Sequence, residues 1–286
     1  MTVSLKIFQI LMSISFKRND VQVYIENAQN CYELEKWGSY KSVFINWKIS
    51  ENDVIPLKNC ADSDATSYFF KAFESFIQAL IDIHKKKQSW AIVKLYYSIF
   101  YLLRCDILLS NHILVRNCGL YFSQLLKNEK FAQFKKGKLR GDHQLTIAFV
   151  KDLHLLGKIV DPILDNKIDD NDAYTWFMMN RERINYSQKN FSEPDIDVCF
   201  GHFYYYFEER KVLDLFAFYN SKDYSICFDT DHSILSIPYK KLVQVLNKGR
   251  GKIDFSGTYS RKLVFHLKEL AEFGIDRKEL LGLINQ

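Results

Sequence analysis

The stretch SWAIVKLYYSIFYLLRCDILLSN, residues 89–111, sets two tyrosines side by side in an otherwise apolar run. Lys94, Arg104 and Asp106 interrupt that run, so it is too polar to read as a membrane-spanning helix. A helix that leaves few polar positions on any face is typical of a protein core. The stretch therefore predicts a central buried helix in which the tyrosine rings are chiefly structural and their hydroxyls take part in hydrogen bonds.

Helical patterns continue on both sides of this stretch. Apolar side chains recur at spacings of three and four from residue 62, and the three lysines of residues 85–87 suit the end of that helix. Further helices are predicted over residues 144–160, over 169–194 with Asp170 or Asp172 as the cap, and from 195 to about 219. With only four prolines and eleven glycines, the chain is predicted to be mainly α.

The two ends of the chain are predicted to be mixed in structure. VQVYIE and SVFINWKI alternate like short strands, and DYSICFDTDHSILSIP is typical of a hairpin around residues 230–232. Residues 117–143 are predicted to be a loop with a short helical piece, and residues 238–286 to be helical with a C-cap at Gly274. The predicted divisions are a small mixed α/β section over 1–58, a helical bundle over 59–220 and a hairpin with helices over 221–286.

Composition and absent motifs exclude several classes of protein. The net charge of +5 is small for 286 residues, so it does not by itself indicate a nucleic-acid binder. The six cysteines show no C-x-x-C pair, which favours reduced thiols in a soluble cytoplasmic protein without a structural metal. Residues 7–16 are mostly apolar but lack the flanks of a signal peptide, and no membrane association is expected. No phosphate-binding glycine loop, nucleophile elbow or zinc-protease motif is present, and no cofactor is expected.

Three partial motifs resemble the HEPN superfamily. AIVKLYYSIFYLLRCDIL is similar to its second-helix signature, RERINY at residues 181–186 to its fourth-helix pattern, and GDHQLTIAFV to the segment that places a His before an apolar helix. The resemblance implies a bundle of four or five helices that pairs with a second copy through the fourth helices. It also implies a place in a bacterial defence or toxin-antitoxin complex.

Ribonucleases of that superfamily carry an arginine followed after four to six residues by a histidine. Here Arg181 is followed at that spacing by Tyr186, and a tyrosine with a pKa of about 10 is a poor general base at neutral pH. His143 is predicted to approach Arg181 or Arg183 if the bundle forms. The candidate catalytic residues are thus Arg181, Arg183, Tyr186 and His143, and an enzyme built on them would be a metal-independent endoribonuclease.

Two basic stretches are candidates for binding RNA or DNA. Residues 127–140 carry six cations against one acid with two phenylalanines between them, and residues 240–252 carry five cations and no acid. A solvated surface or an acidic protein partner also explains both stretches. The candidate nucleic-acid-binding residues are Lys135, Lys136, Lys138, Arg140, Lys248, Arg250 and Lys252.

Three functions remain open on these observations. The first is a non-enzymatic accessory or scaffold subunit that binds a protein partner and also nucleic acid, which the missing motif histidine and the aromatic segment 200–219 favour. The second is a HEPN-type ribonuclease with a non-standard Arg/Tyr site. The third is a helical domain that shares only a bundle pattern with the superfamily.

Overall fold

The computed structural model describes residues 19–30, 37–116, 119–187, 189, 200–221, 225–255, 266–276 and 279. These residues form ten α-helices and two small antiparallel sheets, so the prediction of a mainly α protein is confirmed. The helices are α1 Asp20–Ala28, α2 Trp37–Asn46, α3 Glu51–His84, α4 Gln88–Leu109, α5 Asp142–Leu155, α6 Ala173–Glu182, α7 Gly201–Glu208, α8 Val212–Asn220, α9 Thr230–Lys248 and α10 Leu267–Ala271. The strands are β1 His112–Arg116, β2 Leu120–Gln124, β3 Ala132–Phe134, β4 Lys167–Ile168 and β5 Asn171–Asp172.

Helices α3 and α4 form the antiparallel pair around which the other elements pack. The chain reverses between them in a tight turn in which Lys86 takes a left-handed conformation at φ 59°. The ammonium of Lys94 then pairs with Asp82 of α3 at 2.6 Å. Helix α4 also contacts α5, α6 and α9, which makes it the central helix that its apolar sequence predicts.

Helix α3 begins earlier than its apolar spacing predicts. The backbone N–H of Ser50 donates to the Asp53 carboxylate at 2.9 Å, which stabilises the first turn. Pro56 lies inside the helix and removes one backbone hydrogen bond to Asn52, whose exposed position lets water satisfy the carbonyl instead. The helix is continuous across the predicted division at 58/59, and the three domain divisions stay predictions.

The strand-like interpretation of the N-terminal section is wrong over the described residues. VQVYIE lies in α1 and most of SVFINWKI lies in α2. Val21 and Ile25 of α1 are both buried, and their spacing of four is helical in spite of the alternation between them. Asp64 of α3 accepts hydrogen bonds from the first backbone N–H groups of α1, at 2.8 and 3.0 Å, and so supplies the cap that α1 lacks locally. Residues 1–18 lie outside the described part of the chain.

A three-stranded sheet occupies the region predicted to be a loop with a short helical piece. β2 pairs with β1 on one side and with β3 on the other, both antiparallel, with Arg116 opposite Leu120 and Leu120 opposite Phe134. HILVR and LYFSQ are rich in β-branched and aromatic residues, which favour strands. The segment that follows is basic and contains glycines, which is typical of a loop, so the pattern favours a loop over the whole region and the strands are missed.

The predicted C-terminal hairpin is also wrong. Its first half is a short 3₁₀ turn, Ser225–Phe228, and its second half is the start of α9, capped by the Asp229 side chain, which accepts from the backbone N–H of Asp231 at 3.0 Å. Pro238 lies within α9 and does not end an element. The long helix predicted from 195 is divided into α7 and α8, and residues 195–199 lie outside the described part. Helix α10 has its C-cap at Glu272, so the predicted C-cap, Gly274, lies two residues further on, where it takes a left-handed φ of +92°.

Candidate functional site

The side chains that carry the three partial motifs meet at one place between α4, α5 and α6. The hydroxyl of Tyr96 and Nδ1 of His143 lie 2.7 Å apart. The Arg181 guanidinium lies over the rings of Tyr96 and Tyr97, with its Cζ 5.7 and 5.8 Å from their centroids, and its Nη2 donates to the Tyr97 hydroxyl at 3.4 Å. These four residues and Tyr186 are called the Arg181–His143 cluster below.

Local structure explains how each member of the cluster reaches this place. Tyr96 and Tyr97 are consecutive on α4, so one ring is 1% exposed while the other is half-buried. His143 lies in the first turn of α5, and Arg181 lies in the last turn of α6. The chain then widens into a π-helical turn, Arg183–Ser187, which brings residues five apart together and sets the Tyr186 ring 5.5 Å from the Arg181 Cζ.

His143 is held neutral in this environment. Burial lowers its pKa below the usual 6.5, and the nearby charge of Arg181 lowers it further, while Asp142 acts in the opposite direction. The imidazole packs against Phe100 with a centroid distance of 4.2 Å, which accounts for much of the lost hydration. At neutral pH the ring is therefore an uncharged hydrogen-bonding group.

The hydrogen bond to Tyr96 decides which nitrogen of His143 carries the proton. Burial raises the pKa of Tyr96 well above its usual value, so its hydroxyl keeps its proton. The tautomer of the ring sets the direction of this 2.7 Å hydrogen bond, and when the Tyr96 hydroxyl donates, Nδ1 is the acceptor. The neutral ring then carries its hydrogen on Nε2, which makes His143 a donor at Nε2 and leaves no free lone pair for a general base.

Arg181 adds donors that the protein leaves unused. Its Nε is buried and has no hydrogen-bond partner among the described residues. A buried N–H without an acceptor is costly, and such groups in native proteins call for an explanation. Together with the Nε2–H of His143, the cluster offers several donors, while the nearby carboxylates of Asp142 and Glu182 act on the pKa of His143 but make no hydrogen bond to the cluster in the described part of the chain. Such a donor set suits an anion, and a guanidinium matches the geometry of phosphate.

Further tyrosines extend the cluster across the surface of α4 and α3. The ring of Tyr101 lies 6.0 Å from Tyr97 and 6.3 Å from Tyr68, and all three rings are half-buried. Lys71 is exposed and its ammonium lies 5.5 Å from the Tyr68 centroid. We call Tyr68, Tyr97, Tyr101 and Tyr186 the tyrosine band, since cations and aromatic rings alternate along it.

The remaining candidate catalytic residue, Arg183, does not join the cluster. Its side chain is exposed at the start of the π-helical turn, and no contact between it and His143 is found in the described residues. Tyr186 does join, but its ring is 73% exposed and covers Arg181 from the solvent side. The prediction that His143 could approach Arg181 matches the structure, whereas the alternative approach to Arg183 does not.

The first basic stretch is exposed, as its candidate role requires. Lys135, Lys136, Lys138 and Arg140 all lie on the surface of the segment between β3 and α5. The Lys136 ammonium pairs with Asp152 at 2.7 Å, so part of that charge is neutralised.

The second basic stretch is largely committed to structure. The Lys248 ammonium pairs with Asp106 and lies 2.5 Å from the Ser110 hydroxyl, and Lys252 donates to the Leu109 carbonyl at 3.4 Å. Arg250 is exposed. Because of these contacts, Arg250 is more accessible to a ligand than Lys248 and Lys252 are.

Sequence reasoning missed a buried ionic network that fixes the helices of the site. The Lys241 ammonium of α9 lies 2.6 Å from Asp106 of α4 and 2.8 Å from Asp161, and all three side chains are 0% exposed. The Tyr174 hydroxyl of α6 donates to Asp161 at 2.5 Å. With Lys248 on the other oxygen of Asp106, two cations balance two anions. The sequence signals for this network are Asp106 within the apolar pattern of α4 and Lys241 within that of α9.

No helix among the described residues has the length and apolar character needed to cross a membrane. In the same part of the chain, no three His, Cys, Asp or Glu side chains converge in a way that could hold a metal ion. Comparison with known proteins gives no relative: no protein-family model, no curated protein and no solved structure matches the chain. The HEPN resemblance therefore stays a prediction from the motifs.

Proposed function

We propose that this protein is a non-enzymatic accessory subunit, built on a HEPN-like bundle, that binds the phosphate backbone of RNA at the Arg181–His143 cluster. The observation that carries the proposal is the donor set of the cluster. A guanidinium with a buried, unpartnered Nε and a neutral imidazole with its hydrogen on Nε2 both call for an acceptor. Phosphate oxygens supply such acceptors, and backbone contacts of this kind bind nucleic acid without regard to sequence.

The tyrosine band supports a single-stranded ligand. Bases of single strands stack on aromatic side chains, while cations nearby contact the backbone. Tyr186 offers an exposed ring beside Arg181, and Lys71 offers an exposed ammonium at the far end of the band. Paired bases within a duplex have no free face for such stacking, so the band favours single-stranded over duplex RNA.

The lack of a general base favours binding over cleavage. Cleavage without a metal needs a group that takes a proton from the attacking hydroxyl. With Tyr96 donating to Nδ1, His143 has no lone pair free, and the raised pKa of Tyr96 keeps that hydroxyl protonated, so it does not act as a base. A HEPN-type ribonuclease is the second candidate, because Arg181 and His143 do share one cluster and the Nδ1 lone pair of His143 would be freed if Tyr96 turned away.

We further propose that the subunit works with a protein partner in the cytoplasm, within a complex of the bacterial defence or toxin-antitoxin type. Two features support an assembly. Met179 on α6 is 50% exposed, which suits pairing of two copies through that helix, and Tyr205 of α7 is 54% exposed. Among the described residues, Cys60, Cys105 and Cys227 form no disulfide, which suits a cytoplasmic location.

The test is the affinity of the full chain for a fluorescently labelled single-stranded RNA, measured by anisotropy at fixed salt. Arg181→Gln removes the central donor and is expected to weaken binding by about tenfold or more, since a charged hydrogen bond contributes about 1.5–3 kcal/mol. Arg183→Gln is the matched control, because it makes the same substitution two residues away on an exposed side chain outside the cluster.

Equal losses for the two variants would assign RNA binding to general surface charge and remove the cluster from the proposal. No binding by the wild type would end the RNA-binding proposal. Circular dichroism of each variant confirms that both fold as the wild type does.

A further inference from the structure

A second site lies apart from the cluster, in a cleft of about 550 Å³ between the sheet and the segment that leads into α5. Strand ends contribute Arg116, Leu120 and Phe134, and the segment contributes Lys135, Leu139 and Arg140. The volume lies within the range of about 300–1,000 Å³ that is typical of small-molecule sites. The cleft is thus large enough for a ligand of drug-like size.

The charge of the cleft is positive and unbalanced. Among the described residues, no carboxylate pairs with Arg116, Lys135 or Arg140, whereas the neighbouring Lys136 has Asp152 at 2.7 Å. The one carboxylate in the lining, Asp142, faces the guanidinium of Arg104 at 3.7 Å. Three cations that have no carboxylate partner among the described residues line one cavity, and the Arg140 Nη1 donates only to backbone carbonyls there, to that of Leu139 at 2.9 Å. Such a lining favours an anionic ligand of more than one charge.

The start of α5 adds to this preference. Helix α5 begins at the edge of the cleft, and its N-cap is Gly141, which has no side chain to accept from the first backbone N–H groups. The N-terminus of a helix favours an anion through these N–H groups and through the helix dipole. A phosphate group placed there would meet backbone donors and the side-chain cations together.

The rest of the lining suits a flat, partly apolar body with polar edges. Leu139 is 36% exposed at the cleft, and the Phe134 ring is half-buried, held edge-on against Phe149 at 5.2 Å. Gln133 adds an amide, which can donate and accept at once. A Cβ on Gly119 would lie 2.6 Å from the Gln133 Nε2, so the glycine leaves room for that amide in its present position.

We propose that this cleft binds a nucleoside phosphate. The phosphate lies between Arg116, Lys135 and the first turn of α5, and the base packs against Phe134 and Leu139 with its polar edge toward Gln133. The site is separate from the RNA contacts proposed at Arg181, although α5 carries both its lining residue Asp142 and His143.

The experiment is isothermal titration of the full chain with AMP, GMP, CMP and UMP in turn, and with adenosine and inorganic phosphate as partial ligands. At least one nucleotide is expected to bind with one site per chain. Adenosine and phosphate each make only part of the contacts and are expected to bind about tenfold more weakly or worse, since one charged hydrogen bond contributes about 1.5–3 kcal/mol and about 1.4 kcal/mol is tenfold.

Two variants locate the site. The double variant Arg116→Gln/Lys135→Gln is expected to lose binding by about tenfold or more, because it removes two charged donors. Leu139→Glu places a repelling charge in the cleft at an already exposed position and is expected to do the same. Lys138→Gln is the matched control, since Lys138 is exposed on the same segment but does not line the cleft.

Three outcomes would overturn the proposal: no nucleotide binds, the double variant and Leu139→Glu bind as the wild type does, or inorganic phosphate binds as tightly as the nucleotides. A cleft that binds only an RNA oligomer and no mononucleotide would also overturn it, since the cleft would then be part of a longer binding surface for single-stranded RNA. Arg181→Gln is expected to keep nucleotide binding, so failure of this site and failure of the RNA proposal are distinguished.

Discussion

Replacing Lys241 with methionine tests the buried ionic network that holds α4, α6 and α9 together. Methionine keeps most of the side-chain volume but removes the charge that lies 2.6 and 2.8 Å from two fully buried carboxylates. Only Lys248 then remains to balance Asp106 and Asp161. Removing one partner of a buried ion pair costs about 3–5 kcal/mol, mainly because a buried charge is left unpaired.

Lys136→Met is the matched control for this change. Its ammonium lies at a similar distance from a carboxylate, 2.7 Å, but the lysine side chain is 52% exposed. Solvent-exposed ion pairs contribute about 0–1 kcal/mol to the free energy of unfolding. Urea denaturation at neutral pH, followed by circular dichroism, is expected to show a loss of free energy of unfolding several times larger for Lys241→Met than for Lys136→Met.

The pH dependence of this loss provides an independent check. In the wild type, burial alone would raise the pKa of Asp106, but Lys241 and Lys248 more than offset it and hold the pKa below its usual 3.8. Its stabilising effect is therefore present above pH 3.8 and is lost as the pH falls through the lowered value. Without Lys241 the Asp106 carboxylate becomes easier to protonate in the folded state, so the deficit of the variant should shrink as the pH falls from 7 toward 5. Equal losses for Lys241→Met and Lys136→Met, or a deficit that does not change with pH, would refute this reasoning.

Three further predictions concern the cluster and α1. Tyr96→Phe should lower the free energy of unfolding by about 0.5–1.5 kcal/mol and release Nδ1 of His143. Both imidazole tautomers should then appear in ¹⁵N NMR spectra of the variant, whereas the same single tautomer in both proteins would contradict the hydrogen bond in which Tyr96 donates. Because the pKa of His143 is lowered from 6.5 in the folded state, stability should fall as the pH drops below 6.5, and His143→Gln should abolish this part of the pH dependence in urea denaturation. Burial raises the pKa of Asp64 from 3.8 to about 6, so its contribution to the free energy of unfolding should rise as the pH falls from 6 to 3.8. Asp64→Asn should remove this rise, which calorimetry across this pH range can test.

The helices with strong periodicity could be predicted from the sequence, because their apolar spacing is helical. Helix α4 follows its apolar pattern from Gln88, although its N-cap is Lys87, which makes no side-chain cap hydrogen bond. In α6 the predicted cap is correct, since Asp172 accepts from the backbone N–H of Thr175 at 3.1 Å. The short elements could not be predicted in this way. Val21 and Ile25 fit both the period of two of a strand and the spacing of four of a helix. The helix is stabilised by Asp64, which is distant in sequence and caps α1.

The site was only partly accessible to sequence reasoning for a similar reason. The motif spacing indicated Arg181 and His143, but tertiary packing decides that His143 meets Tyr96 and that Arg183 stays outside. Tyr96 and Tyr97 were expected to be structural, and Tyr96 is indeed buried, yet its hydroxyl also orients His143. The ionic network shows the same limit, since Asp106 and Lys241 lie far apart along the chain and each looks like a lone charge in an apolar helix.

The measurement that tests the central claim most directly is the length of RNA recovered from its complex with the protein. Labelled single-stranded RNA is incubated with the full chain, the protein–RNA peak is isolated by size exclusion, and the RNA is resolved on a denaturing gel. A cluster that binds phosphate and holds no free general base predicts that RNA elutes with the wild type at full length and separates from Arg181→Gln. RNA that never elutes with the protein, or fragments that appear with the wild type and disappear with His143→Gln, would contradict it.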